Sequence, residues 1–91
     1  MTNISVATTV TEVLPALVAG NRNGQTITLQ NQSDTTILVA VGAENIAQLT
    51  SSLGLKLEAG DVMPIDGLSA NQPISAIHGG TGTKTLLVHI V

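Results

Sequence analysis

Turn-forming residues recur about every ten positions in this chain, and the runs between them are short and rich in Val, Ile and Thr. β-Branched side chains favour extended backbone and pack well on a pleated surface. The spacing therefore predicts an all-β protein: a small antiparallel β-sandwich or jelly-roll-like barrel of about six to eight short strands, with a possible extended N-terminal arm.

The runs follow one another in a legible order. Ile4 to Val13 places Val6, Thr8 and Val10 on one side of a strand, and Pro15 marks an edge or a bend. Residues 1–13 thus form an N-terminal arm or edge strand, and 14–91 the sandwich domain. The stretch from Gly20 to Gly24 holds an Asn-Gly pair, the signature of a hairpin turn. Gln25 to Asn31 alternates, with Ile27 and Leu29 to one side and Thr26, Thr28 and Gln30 to the other. After a turn at Gln32-Ser33-Asp34, Thr35 to Val41 returns with Ile37, Val39 and Val41 inward. Its Leu38 and Ala40 make the second face apolar as well.

Ala43 to Leu53 sets Ile46, Leu49 and Leu53 at helical spacing, but Thr50, Ser51 and Ser52 are poor helix formers. A loop with one helical turn is expected there. Gly54 to Glu58 and Val62 to Ile65 are strands joined by the tight turn Ala59-Gly60-Asp61, with Pro64 marking an edge. Asp66-Gly67 turns again. Pro73 to His78 and Lys84 to Val91 are the last strands, joined by a glycine-rich hairpin. The expected core is Ile27, Leu29, Ile37, Val39, Leu57, Ile77, Leu86, Val88 and Ile90.

Composition narrows the function. The chain has 91 residues, no Phe, Tyr or Trp and no Cys, so its core lacks large rings and crosslinks. It is nevertheless 43% hydrophobic and only 10% charged, the opposite of a disordered chain. A small, greasy chain of this kind is expected to bury surface against other subunits, its own copies or a larger body. The net charge of −3 and the absence of a basic stripe argue against nucleic acid as a partner. No run approaches the roughly 20 apolar residues of a membrane span, and the start of the chain lacks the pattern of a signal peptide.

The most suggestive motif is Gly79-Gly80-Thr81-Gly82-Thr83-Lys84-Thr85, which has the ingredients of a phosphate loop. Thr83 stands where the pattern needs glycine, and the residues after Lys84 continue as a strand rather than opening a helix. A turn is the better reading, and no nucleotide or other cofactor is expected. His78 and His89 are a poor metal pair, since zinc usually takes four ligands. Asp61 and Asp66 flank a strand, and Asp34 sits in a turn, where Asp is a stock residue. No metal site and no catalytic residue is expected, and the chain is not expected to be an enzyme.

Contact residues are the remaining candidates. Leu87, His89 and Val91 share one face of the final strand, opposite Leu86, Val88 and Ile90. A strand apolar on both faces expects cover on both. Leu87, His89 and Val91 are therefore interface candidates. Ile4, Val6, Thr8 and Val10 join them as an arm that pairs with a neighbour's sheet edge.

The ordered set of motifs also carries a resemblance. Asn21-Arg22, then Thr26-Ile27-Thr28-Leu29-Gln30-Asn31-Gln32-Ser33-Asp34-Thr35, then Ile37 to Gly42, resembles a segment common in small tailed-bacteriophage structural proteins. Gly54 to Gly60, Asp66-Gly67, Ile74-Ser75-Ala76-Ile77, the Gly80 to Thr83 turn and Leu86 to Val91 continue it, so the likeness spans residues 20–91. Val41 and Ser75 stand where such proteins usually carry aromatics. The resemblance implies a non-enzymatic β-sandwich virion protein made in the host cytoplasm. The form it favours is a capsid cement or decoration protein at the capsid surface, a homodimer or homotrimer bound where major capsid protein subunits meet. The alternative is a tail, baseplate or fibre component, as a receptor- or glycan-binding module. The lack of rings to stack on sugars counts against that alternative.

Overall fold

The computed structural model describes residues 1–16, 25–66 and 72–91. Its strands, in chain order, are β1 (Thr2–Val6), β2 (Thr11–Leu14), β3 (Ile27–Asn31), β4 (Ile37–Val41), β5 (Leu55–Leu57), β6 (Val62–Ile65), β7 (Ile74–His78) and β8 (Lys84–Ile90). A single helical turn, α1 (Ala43–Ile46), lies between β4 and β5. This matches the expectation for Ala43 to Leu53.

Pairing follows a simple rule. β1 pairs with β8, β2 with β7, β3 with β6 and β4 with β5, all antiparallel, as in one long ribbon doubled back between β4 and β5. Rolling that ribbon brings β3 beside β8 and β4 beside β7. The result is two four-stranded sheets, sheet A in the order β1-β8-β3-β6 and sheet B in the order β2-β7-β4-β5. The protein is an all-β sandwich with jelly-roll strand order.

Because the ribbon is rolled, consecutive strands sit in opposite sheets everywhere except β4 and β5. This corrects three sequence expectations. The glycine stretch 79–83 is a turn, but it carries the chain from sheet B to sheet A and is not a hairpin. Ile4 to Val13 is two strands in different sheets, separated by a turn that leaves Thr8 and Val10 exposed. The Asn-Gly turn near Gly24 lies outside the described residues, as does Gly67, but β2 and β3 on either side of the first belong to different sheets. Turn chemistry fixes a local reversal, and it carries no information on which sheet receives the next strand.

The inner faces make the core. Val6, Ile27, Leu29, Ile37, Val39, Leu57, Ile74, Ala76, Leu86 and Val88 interdigitate between the sheets and are almost wholly buried. Each Val, Leu or Ile among them stabilises the fold by about 1.5–3 kcal/mol relative to exposure. Ile90 departs from expectation. It is 42% exposed, because β1 begins opposite Val88 and leaves the end of β8 without a neighbour on that side. Ile77 is buried, but in a second cluster on the outer face of sheet B, with Leu38, Ala40, Leu49 and Ile46. The segment 43–54 folds over that face, which is why β4 is apolar on both sides.

Gly54 shows how closely this cover is applied. A Cβ there would lie 2.7 Å from Leu49 Cδ1 and 3.1 Å from Leu38 Cβ. The Leu49 tip can swing aside, but Leu38 Cβ is fixed to β4. Gly54→Ala is expected to destabilise the protein by about 1–3 kcal/mol through overpacking, read from a urea titration followed by far-UV circular dichroism.

Candidate functional site

The residues with chemical potential are tied into structure or held apart. His78 is fully buried at the end of β7. Its Nδ1 accepts a hydrogen bond from the Gly80 N–H at 3.1 Å. Nε2 must then carry the proton, and it donates to the Gly82 carbonyl at 2.8 Å. The glycine stretch is wrapped around this imidazole, and the Gly80 amide faces inward rather than toward a ligand. Gly82 takes φ 68°, a left-handed backbone that suits glycine. His89 is exposed on sheet A, so the two histidines do not meet.

Asp61 and Asp66 bracket β6, roughly 16 Å apart at ~3.3 Å per residue. Asp61 accepts from the Glu58 N–H and closes the turn at Gly60. Lys84 pairs with Asp34 at 3.0 Å. That hydrogen bond, then the one from the Thr35 hydroxyl and the nearby Lys84 charge, lowers the Asp34 carboxyl below its usual range. Any stability the pair adds is present at neutral pH and lost as pH falls through that lowered value; exposed as it is, the contribution is small. Arg22 lies outside the described residues. Among the described residues no cluster of three or more His, Cys, Asp or Glu could hold a metal ion, and no helix is long and apolar enough to cross a membrane.

Surface is what remains, and the two sheets differ. The outer face of sheet B carries the 43–54 cover. The outer face of sheet A has no cover among the described residues. The registers place Asn3 and Ser5 of β1, Thr85, Leu87 and His89 of β8, Thr28 and Gln30 of β3, and Val62 and Pro64 of β6 on it. None is Asp, Glu, Lys or Arg. Leu87 is half-buried in the middle of this face, and Val62 is 55% exposed.

The interface candidates divide accordingly. Leu87 and His89 lie on the sheet A face, and Val91 follows at its end. Thr8 and Val10 are exposed in the β1–β2 turn. Ile4 is half-buried, and Val6 is fully buried in the core and belongs there rather than on a surface. Ile4 and Val6 form their ladder with β8 of the same chain.

The edges differ as sharply as the faces. Val91 and Thr26 exchange both main-chain hydrogen bonds, each 3.0 Å. In an antiparallel ladder this sets the phase: Leu87 and His89 bond toward β3, while Leu86 and Val88 bond toward β1. Thr2, Ile4 and Val6 therefore turn their N–H and C=O to β8, and Asn3 and Ser5 turn theirs to the open edge. The same reasoning, from the Asn31 N–H to the Asp61 carbonyl at 3.0 Å, puts Pro64 on the open edge of β6, where a missing N–H costs nothing.

Sheet edges are normally guarded against stray pairing by proline, charge, bulges or shortness. β6 has Pro64. β5 is three residues long and carries Lys56. β2 has Glu12 and a register shift, with Pro15 just beyond. β1 has none of these. The sequence reading missed Asn3 and Ser5, although the absence of charge and proline across Thr2 to Val6 was visible in it.

Compared with known proteins, this chain matches no family model, no curated protein and no solved structure.

Proposed function

We propose that the chain is a non-enzymatic virion structural protein, a capsid cement or decoration protein that binds between major capsid subunits and stabilises the shell. The observation that carries this reading is the outer face of sheet A, which is without Asp, Glu, Lys or Arg and without cover among the described residues, on a jelly roll whose other face is already occupied. The likeness of residues 20–91 to small phage structural proteins supports it. Its mechanism is contact area.

The molecule is a slab of 37 × 25 × 16 Å. A standard interface takes roughly 800 Å² from each partner, so the sheet A face would supply its centre and neighbouring surface the rest. Many copies on one lattice then multiply a modest single contact.

A face without charge binds through packing and hydrogen bonds, so binding should depend little on salt. The test is cosedimentation with expanded empty capsids of the phage concerned. The wild-type protein is expected to pellet with them about equally at low and high salt. Leu87→Lys, which sets a charge at the centre of the face, is expected to weaken binding about tenfold or more. Wild-type protein that stays in the supernatant, or full binding by Leu87→Lys, would overturn the reading.

A further inference from the structure

We propose that β1 is a docking edge for a second copy of the same chain. Two copies join β1 to β1 antiparallel about a two-fold axis at Ile4, so that their sheets A run on as one eight-stranded sheet. The inference rests on the edge geometry and not on the capsid reading, and the two fail separately.

The phase of the ladder determines the register. Asn3 and Ser5 are the β1 residues whose N–H and C=O face outward. The next outward position, Ala7, is closed within the chain: its N–H donates to Thr11 Oγ1 at 3.0 Å and its C=O accepts from the His78 N–H at 3.3 Å. In an antiparallel pair centred on Ile4, Asn3 lies opposite the second copy's Ser5, and Ser5 opposite its Asn3. Each such pair exchanges both main-chain hydrogen bonds. Every outward N–H and C=O of Asn3 and Ser5 finds a partner.

The side chains agree with that register. Ile4 meets its symmetry mate at the close, non-hydrogen-bonded kind of site, where β-branched pairs pack well. Ile4 is half-buried in one copy, beside a cleft of about 180 Å³ that it lines with Val13, Leu14 and Ile90. A water occupies roughly 30 Å³ of liquid, so the cleft has room for side-chain atoms from the opposite copy.

A two-fold axis brings like against like, so a charged edge would repel itself. β1 carries no charge, whereas β2 and β5 carry Glu12 and Lys56. Pro64 leaves the edge of β6 without a donor. A second copy fits β1 because the edge is its own complement.

Sedimentation equilibrium of the full chain tests this. Wild-type protein at tens of micromolar is expected at twice the 9.2 kDa chain mass. Ser5→Pro removes an outward N–H that the fold does not use, and it is expected to give a folded monomer with an unchanged far-UV spectrum. Should that variant unfold, a charge pair keeps the test open. Asn3→Lys with Ser5→Lys sets like charges opposite each other and is expected to be monomeric. Asn3→Lys with Ser5→Asp sets opposite charges across the axis and is expected to dimerise again. A monomeric wild type, or a folded Ser5→Pro variant that still dimerises, overturns the proposal. A charge-swapped variant that stays monomeric overturns the Ile4-centred register.

Discussion

Asn31→Leu is expected to destabilise the protein by about 3–5 kcal/mol, although it replaces a polar side chain in the core by an apolar one of similar size. Asn31 is fully buried at the end of β3. Its amide nitrogen donates to the Thr35 carbonyl at 2.8 Å and to the Leu57 carbonyl at 2.7 Å. Its oxygen accepts from the Ser33 N–H at 2.9 Å and from the Ser33 hydroxyl at 2.6 Å. One side chain thus holds the β3–β4 turn closed and fastens the end of β5, in the other sheet, to it. Its own main chain binds Asp61 and Gly60, so the β5–β6 turn is fastened there too.

Leucine at this position would leave the Ser33 N–H without its acceptor and the Leu57 carbonyl without this donor, while the Thr35 carbonyl keeps the Ser33 hydroxyl at 3.0 Å. Each unsatisfied buried group costs about 1–3 kcal/mol. At roughly 4–8 °C per kcal/mol for a domain of this size, the thermal midpoint should drop by more than about 10 °C. Asn31→Asp is the sharper control. It keeps both bonds from Ser33 but sets a carboxylate oxygen against two carbonyls, so it should melt far below wild type despite its nearly unchanged shape. Calorimetry at neutral pH reads both variants. A loss below about 1 kcal/mol in each would refute the role given to this side chain.

Leu29→Ala is the second large effect, expected at about 2–5 kcal/mol. Leu29 is fully buried at the middle of β3, opposite Met63 on one side and Val88 on the other. Deleting its branched end opens a void where both neighbours are held by their own ladders. No aromatic ring is present to tilt into the space. Total stability for a chain of this length is on the order of 5–15 kcal/mol, so the loss takes a large share. Leu29→Ile, which keeps the volume, should cost less than about 1.5 kcal/mol. Guanidinium titrations of the two variants side by side separate cavity from shape.

Much of this core was legible in residue alternation. Gln25 to Asn31 marks Ile27 and Leu29 as inward, and both are buried as expected. The same alternation puts Asn31 inward after them, and a polar side chain at an inward phase, two residues before Ser33, is the mark of an Asx turn. The turn residues Gln32, Ser33 and Asp34 that follow carry the louder local signal. Pro64 and Lys56 declared their strands to be edges through local chemistry. The sheet to which each strand belongs was not legible, because ladder partners such as Ile4 and Leu86 are far apart in the chain and no turn between them names the other. For that reason the open edge of β1 could not be told from a free arm. The sheet A face was half legible: Leu87 and His89 were visible as one side of β8, but the neighbours that make the face uncharged come from three other strands.

The rolled order also sets how the molecule comes into being. Ile4 cannot meet Leu86 until every residue between them has been made. At a synthesis rate of about 5–20 residues per second, that is a wait of roughly 4–16 s. Long-range pairing of this kind also folds slowly, over milliseconds to seconds. Through that interval the first strand is bare on both sides, and crowded nascent chains can join through it before any of them is complete.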